Sequence, residues 1–391
     1  MADFTRDAPT RLSYGVLAAY TFWLYAFGPA LALLQADLHF SYTLIGIYSA
    51  LWSGGAALAG LVFARLARRL GRHATLWTAA GGASAAALLF AVAHGVAPGL
   101  VAAGILGFAG TTLLMVTQSV LADRHGARRD RALAEANVGA AACAVLAPLM
   151  LGALAGAAVG WRIALALPLI ALVALYVTYR GDALPAHPPS RSALGEGRVR
   201  LPLACWLLAL LVAIGIAVEF CLVYFGAEHL DATGLSTGDA ATAVSAFYVG
   251  ILAGRIAGAR LTRVSGRTTG LLWASLALTA AGFVPFWLGA QPAVAVAGLF
   301  VCGVGVANLY PLSLALALAV APERTDAANA LTQILGGLLV IVAPYLLGSL
   351  ADRLGLRSAF AIEPVLIALS AVLLVAGLKA SGHVRPARLA P

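Results

Sequence analysis

The chain has 391 residues, of which 62% are hydrophobic and 10% are charged, and its formal net charge is +9. Soluble globular chains average about 45–50% apolar and about 25% charged residues. This composition excludes a water-soluble enzyme, a disordered chain and a nucleic-acid binder built on the positive charge. The apolar runs are also longer than the roughly ten-residue alternating strands of an outer-membrane barrel. The chain is therefore predicted to be an all-α membrane protein.

Twelve apolar stretches are long enough to cross a bilayer, since a spanning helix takes about 20 residues. Many Gly, Ala and Ser residues in these stretches favour close helix packing. The predicted spans are residues 12–36, 43–66, 74–93, 99–121, 134–156, 162–179, 203–226, 240–261, 268–289, 293–319, 327–348 and 359–378.

One long polar segment, residues 180–200, interrupts this series. Its Pro, Ser, Gly and charged residues are typical of a linker. The linker predicts an N-terminal six-helix bundle (1–180), a cytoplasmic linker (181–200) and a C-terminal six-helix bundle (201–391).

The positive charges predict the orientation. With twelve spans both termini lie on one side, and 22 of the 25 Lys and Arg residues fall on that side or at the adjoining helix ends. Only Arg162, Arg353 and Arg357 fall on the other side. The positive-inside rule makes the rich side cytoplasmic. We therefore expect a multi-pass protein of the cytoplasmic (inner or plasma) membrane with both termini in the cytoplasm. The first apolar run is too long for a signal peptide.

The two halves resemble each other in sequence. Residues 64–76 and 259–271 match at seven of thirteen positions, with an offset of 195. The pairs Ala-Pro at 147–148 and 343–344, and the stretches LIAL at 169–172 and 366–369, keep nearly the same offset. These matches predict a duplicated six-helix unit.

The segment after the second span resembles the loop motif of the major facilitator superfamily, Gly-x-x-x-Asp-Arg-x-Gly-Arg-Arg. Arg69, Gly71 and Arg72 fit this pattern, whereas Ala64 and Arg68 replace the family Gly and Asp. The second replacement puts in doubt the interhelical ion pair that this acid usually makes. The repeat places Gly266 and Arg267 at the equivalent positions of the second half.

The resemblance implies two pseudo-symmetric six-helix bundles, with helices 1, 4, 7 and 10 lining a central cavity about which the halves rock. It implies a secondary transporter and not an enzyme. A fold this widely reused does not name the substrate.

Two subfamily patterns can be compared with the chain. Drug–proton antiporters have an Arg in helix 4 four residues before a Gly, but here Ala103 precedes Gly107. Their Gly-Pro-rich helix 5 is also degenerate here. Fucose-permease-like sugar–proton symporters often have a Glu in helix 7 and a Gly-Arg in helix 8, which resemble Glu219 and Gly254-Arg255.

Charged residues inside a span are costly and mark functional sites. Glu219, about 10 Å below the outer end of the seventh span, is the candidate proton-coupling group, although a hydrogen-bonded structural Glu is the alternative. Arg255, about 9 Å from the inner end of the eighth span, is a candidate substrate or gate anchor or a snorkelling side chain. A direct salt bridge between the two is not expected. Glu363 is interpreted as a structural or outer-gate residue.

Polar and aromatic side chains fall on each helix that the family uses for its cavity. Aromatic stripes are also typical of lipid-facing or packing surfaces. The further candidate substrate-binding residues are Tyr20, Trp23, Phe27, Thr111, Gln118, Tyr224, Asn308, Tyr310, Asn329 and Gln333.

Neither a cofactor nor a metal is expected. The four cysteines are far apart and the histidines have no metal-ligand spacing; His39, His94 and His229 are predicted to lie in outer loops. The absence of a GxxxxGK[ST] motif favours transport driven by a gradient.

We therefore expect a monomeric, proton-coupled symporter of a polar solute such as a sugar. Its partners would be a small molecule, protons and the lipid bilayer, and not a nucleic acid. The alternative is proton-coupled efflux of amphipathic drug-like compounds. A non-transporting receptor or a membrane-embedded enzyme is disfavoured, since the chain has no grafted soluble domain and no clustered catalytic groups.

Overall fold

The computed structural model describes residues 5–126, 129–157, 160–184, 201–261 and 268–382, and every regular element in these ranges is helical. The first half contains α1 Ala8–Leu38, α2 Tyr42–Ala91, α3 Val96–His125, α4 Arg129–Ala155, a 3₁₀ helix Trp161–Ala166 and α5 Leu167–Tyr179. The second half contains α6 Leu203–Asp231, α7 Thr237–Ala243, α8 Ser245–Leu261, α9 Thr268–Leu288, α10 Pro292–Val306, α11 Leu309–Ala319, a 3₁₀ turn Pro322–Arg324, α12 Thr325–Leu354, α13 Leu356–Ala359 and α14 Ile362–Ser381.

The described part of the chain has 11 helical stretches long and apolar enough to cross a membrane. One of them, α2, has 50 residues and would be about 75 Å long as a straight helix, more than twice the roughly 30 Å hydrocarbon core. Gly71 interrupts it with non-helical backbone angles, φ 77° and ψ 161°. Two spans are therefore joined in α2, and the prediction of twelve membrane helices is confirmed.

The seventh span is longer than predicted. It continues as α6 to Asp231, whereas its apolar run ends near residue 226. The extra turn carries Glu228 and His229, which are polar but buried. The prediction of a loop at His229 was wrong, because an apolar run marks where hydrophobic side chains end and not where helical packing ends.

Clustering of contacts divides the chain into two compact units. The first unit is Met1–Arg191 with Val223–Tyr248, and the second is Ser192–Leu222 with Val249–Pro391. The boundaries therefore cut α6 and α8. The division into six-helix bundles at 181–200 stays a prediction.

Each unit contains the same close helix crossing. In the first unit a Cβ atom on Gly55 of α2 would overlap the backbone of α3 at Gly104 and Phe108. In the second unit a Cβ atom on Gly250 of α8 would overlap the backbone of α10 at Phe300 and Val304.

These crossings are related by offsets of 195 and 196 residues, the same offsets as in the sequence repeat. The duplication is therefore visible in the helix packing as well as in the sequence.

Candidate functional site

Two of the predicted cavity residues in the first unit contact each other. Tyr20 on α1 is buried, and its hydroxyl shares a hydrogen bond with Thr111 on α3. Its ring packs over Gly110, where a Cβ atom would meet it. Gln118, two turns further along α3, is exposed. Of these candidates in the first unit, Tyr20 and Thr111 are hydrogen-bonded to each other, and Gln118 presents an exposed amide group.

The other aromatic candidates of the first unit pack inside it. The indole N–H of Trp23 donates to the carbonyl oxygen of Leu165 at 3.0 Å. Phe27 lies among buried rings, with centroid distances of 4.6 Å to Trp52, 5.4 Å to Phe90 and 6.1 Å to Tyr224.

The Tyr224 hydroxyl is in turn hydrogen-bonded to Ser49. These contacts give Trp23, Phe27 and Tyr224 a packing role. Their role as substrate contacts stays a prediction.

The second unit groups the amide and phenol candidates of α11 and α12. Gln333 donates from Nε2 to the Tyr310 hydroxyl at 3.2 Å, and Asn329, one turn earlier on α12, is exposed together with Gln333. Asn308 lies at the break between α10 and α11 and donates to the Gly254 carbonyl oxygen at 2.8 Å. Asn308 is therefore held by α8, whereas Tyr310, Asn329 and Gln333 form a polar surface.

Glu219 lies further from the end of its helix than the sequence predicts. It is 12 residues before the end of α6 at Asp231, about 18 Å along the helix, and it is half-buried. Because α6 is longer than the predicted span, Glu219 lies near the middle of the helix.

The carboxylate of Glu219 interacts electrostatically with Arg255, which is exposed on α8. Both residues belong to the second unit. The structure thus places these two charged candidates close enough to interact electrostatically.

The loop motif of the first half takes part in an ion pair between a buried arginine and an exposed aspartate. Arg72 Nη2 lies 2.5 Å from Asp123 Oδ2 on α3, and the Arg72 side chain is only 2% exposed. An ion pair therefore joins the loop motif to α3 through Arg72, and position 68 takes no part in it. Gly266 and Arg267 lie outside the described residues.

Glu363 is more isolated than the sequence suggests. Its relative exposure is 0%, and neither carboxyl oxygen accepts a regular hydrogen bond from the described residues. The thiol of Cys221 on α6 lies beside the carboxyl, and Cys302 on α10 is close enough to interact with it.

The charge state of this carboxyl follows from magnitudes. An ionised carboxylate buried without donors costs at least several kcal/mol. Its position in the first helical turn of α14 offsets only about 0.3–1 kcal/mol. Ionisation of the Glu363 carboxyl is therefore disfavoured in this arrangement.

No group of three or more His, Cys, Asp or Glu side chains that could hold a metal ion occurs among the described residues.

Two features could not be read from the sequence, namely the burial of Glu228 and the lack of a regular hydrogen bond to the Glu363 carboxyl. The available signal was an acidic residue inside or directly after an apolar run.

Comparisons with known proteins give a consistent family. The family model of the Major Facilitator Superfamily matches twice, at residues 13–228 and 205–390. No curated protein sequence gives a significant match.

Two solved structures share the fold. The inward-facing, unoccupied structure of a bacterial homologue of the human lysosomal transporter Spinster is 14% identical, covers 97% of this chain and 98% of its own, and has a TM-score of 0.76. A point mutant of the nucleoside transporter NupG is 15% identical, covers 95% of this chain and 98% of its own, and has a TM-score of 0.72. The chain therefore belongs to the Major Facilitator Superfamily and is a membrane-embedded secondary transporter of a small molecule, not an enzyme.

Proposed function

We propose that this transporter carries out proton-coupled symport of a small polar solute such as a sugar, acting as a monomer by alternating access. The observation that carries the proposal is the position of Glu219, half-buried near the middle of α6 and interacting with the Arg255 guanidinium. An ionisable side chain within a membrane span is costly and marks a proton or substrate pathway.

Glu219 can carry the coupled proton. A carboxyl group holds one proton, and when the proton leaves, the positive charge of Arg255 can serve as the counter-charge. This arrangement lets the protein alternate between two combinations, a protonated Glu219 and an ionised Glu219 facing Arg255. In either state the membrane interior holds little uncompensated negative charge.

The polar surface of α11 and α12 supports a hydroxylated substrate. Amide groups such as those of Asn329 and Gln333 both donate and accept hydrogen bonds, and the Tyr310 ring adds an apolar face. Tyr20, Thr111 and Gln118 supply similar groups in the first unit. The remaining candidates, Trp23, Phe27, Tyr224 and Asn308, are proposed as supporting contacts.

The substrate class includes compounds that carry a sugar together with an aromatic ring. One structural neighbour is a nucleoside transporter, and a nucleoside contains a ribose whose hydroxyl groups suit the same amide and phenol groups. We therefore include nucleosides with sugars among the polar solutes to be tested.

The second candidate function is efflux of amphipathic drug-like compounds by proton antiport. The aromatic rings near Phe27 favour it, because planar apolar compounds use stacking contacts. The direction of coupling separates the two functions. Symport moves the solute with the proton, and antiport moves it against the proton.

The proposed setting is the cytoplasmic membrane, with both termini in the cytoplasm. The distribution of arginines supports this orientation. Attaching a reporter to the C-terminus and testing its accessibility from each side of intact cells would check it.

The experiment is uptake into liposomes of purified protein with an imposed pH gradient. A thermal-shift screen against sugars, nucleosides and amphipathic drugs first selects a ligand. Wild-type protein should then accumulate the ligand when the outside is more acidic than the lumen. Glu219→Gln should lose more than about 90% of this gradient-driven uptake while keeping its folded helix content, since coupling groups act directly in the transport step.

Asp239→Asn is the matched control, because Asp239 is an acid in the first turn of α7. It should leave gradient-driven uptake unchanged. Uptake by Glu219→Gln with an unaltered response to the pH gradient would remove Glu219 from the mechanism. Ligand movement against the proton gradient would favour the efflux function.

A further inference from the structure

Side chains from three helices lie around the Glu363 carboxyl, and all of them belong to the second unit. Glu363 belongs to α14, Cys221 to α6 and Cys302 to α10. Cys221 lies ten residues before the end of α6, and Cys302 lies ten residues after the start of α10. Both thiols are fully buried, as is Glu363. The carboxyl group is therefore inside the helix packing and not on a lipid-facing surface.

Among the described residues, the groups around Glu363 do not include a positive charge or a strong donor. The titratable groups that face it are the two thiols, of which Cys221 is in contact. From α9, Phe283 and Phe286 pack on Phe360, one turn before Glu363. Thiols are weak hydrogen-bond donors. A carboxylate anion would be unstable in these surroundings, so the site retains a proton.

This environment is separate from that of Glu219. Glu219 and Cys221 are two residues apart on α6, which places them about 200° apart around the helix. One face of α6 thus carries the half-buried Glu219, and the other carries the thiol that contacts Glu363. The two carboxyl groups lie on different sides of one helix.

The fold itself does not require an acid at this position. Glu363 precedes Pro364, and at the offset of 196 Leu167 precedes Pro168 in the first half. Both prolines lie in the first turns of a helix. The repeat therefore forms the same helix start with an apolar residue.

We propose that Glu363 is a second proton-binding site, which holds one proton while α6, α10 and α14 are packed around it and releases it to water only when they separate. The site goes beyond the proposed coupling by Glu219 and does not depend on it. Its ligand is the proton alone, transferred between the carboxyl oxygen and a water molecule.

Infrared difference spectroscopy of purified protein in detergent at pH 7 tests the protonation state. The spectrum of wild type minus Glu363→Gln should contain a positive carbonyl band of a carboxylic acid, because the variant lacks this group. Positive carboxylate bands in its place would overturn the proposal. In D₂O the acid band should shift slowly, because water does not reach the site. A shift that is complete on mixing would overturn the sealed site.

Thermal stability as a function of pH gives a second readout. Glu363→Gln mimics the neutral acid and should match or exceed the wild-type melting temperature at pH 7. As the pH rises, the wild type should lose stability more steeply than the variant, because ionisation of the buried acid opposes folding. Glu363→Met, neutral and apolar, is the second variant if Glu363→Gln fails to fold.

Failure of both neutral variants to fold would overturn the proposal, because a site that holds a neutral carboxyl group should accept a neutral side chain of similar size. Glu219→Gln, measured in parallel, should retain the acid band of Glu363. These measurements need no substrate. A negative result therefore leaves the proposed symport standing, and a failure of solute uptake leaves the Glu363 site standing.

Discussion

The acidic residues of residues 5–184 and those of residues 201–382 are placed differently within the same helical plan. In the first range, acids at helix ends pair with arginines. The pairs are Asp7 with Arg124 at 2.6 Å, Asp37 with Arg162 at 2.7 Å, Asp123 with Arg72 at 2.5 Å, and Glu135 with Arg6 at 2.8 Å and Arg131 at 3.1 Å.

In the second range, Glu219 lies near the middle of α6, and Glu363 lies fully buried in the first turn of α14. Glu219 interacts with Arg255 through space, and Glu363 lies beside the buried thiols of Cys221 and Cys302. An ionisable group at the end of a helix can be solvated or paired and costs little free energy. An ionisable group within a membrane span costs several kcal/mol, so its presence usually indicates a function. The two duplicated halves therefore have similar helix packing but carry their ionisable groups in different places.

The shared packing gives the largest expected effect. Gly55→Leu and Gly250→Leu should each destabilise the fold by about 3 kcal/mol or more, because the new side chain meets the backbone of the crossing helix. The melting temperature or the folded yield in detergent measures this. Gly54→Leu is the control, since nothing lies within 4 Å of a Cβ atom there. A mild effect at only one of the two crossings would break the equivalence of the halves.

The ion pair of the loop motif gives an intermediate effect. Asp123→Ala should cost about 2 kcal/mol, below the roughly 3–5 kcal/mol for a fully buried pair, because the Asp123 side chain is 37% exposed. The guanidinium of Arg72 would lose this carboxylate while remaining buried. Arg68→Ala, at an exposed position of the same segment, should change the melting temperature little. Equal effects of the two variants would contradict a structural role for the pair.

The smallest effect is expected at the start of α1. Burial raises the pKa of Asp7, but hydrogen bonds from Thr10 and Arg124 outweigh it and leave the pKa below the ordinary 3.8. The folded state therefore favours the carboxylate, and this stability is present at neutral pH and is lost as the pH falls through the lowered pKa. Asp7→Ala should cost about 1 kcal/mol at pH 7.

The difference in melting temperature between Asp7→Ala and wild type should shrink as the pH is lowered from neutral to below the ordinary pKa of 3.8, because Asp7 then becomes protonated. Asp182→Asn, in the turn after α5, serves as a control for general acid effects. A difference that stays constant over this range would contradict the ionic contribution of Asp7.

Much of the fold could be predicted, because hydrophobicity alone decides where a chain can cross a bilayer. The twelve spans and the repeat at Gly71 and Gly266 were visible as composition and spacing. The length of α6 was not, since Glu228 and His229 are held by packing that a hydrophobic run does not record. Side-chain partners were equally hidden. Trp23 could line a cavity or donate to Leu165, and both fit its helical position.

The sequence could predict which residues belong to the candidate site, but not what surrounds each of them. The sequence shows that Glu219 and Glu363 interrupt apolar runs, yet it does not show which of them lacks donors. That distinction depends on helix rotation, which places Cys221 against Glu363 and directs Glu219 elsewhere. Rotation follows from the packing of several helices together and is not encoded in any one span.

The backbone at Gly71 has one further consequence. Its φ of 77° with ψ of 161° belongs to a region that only glycine adopts readily, yet nothing lies within 4 Å of the position where an L-alanine methyl group would stand. The restriction is thus one of handedness and not of crowding. A D-alanine introduced by chemical synthesis favours positive φ angles and should be tolerated there better than L-alanine. The connection between the two spans of α2 therefore depends on a residue whose Cα atom is achiral.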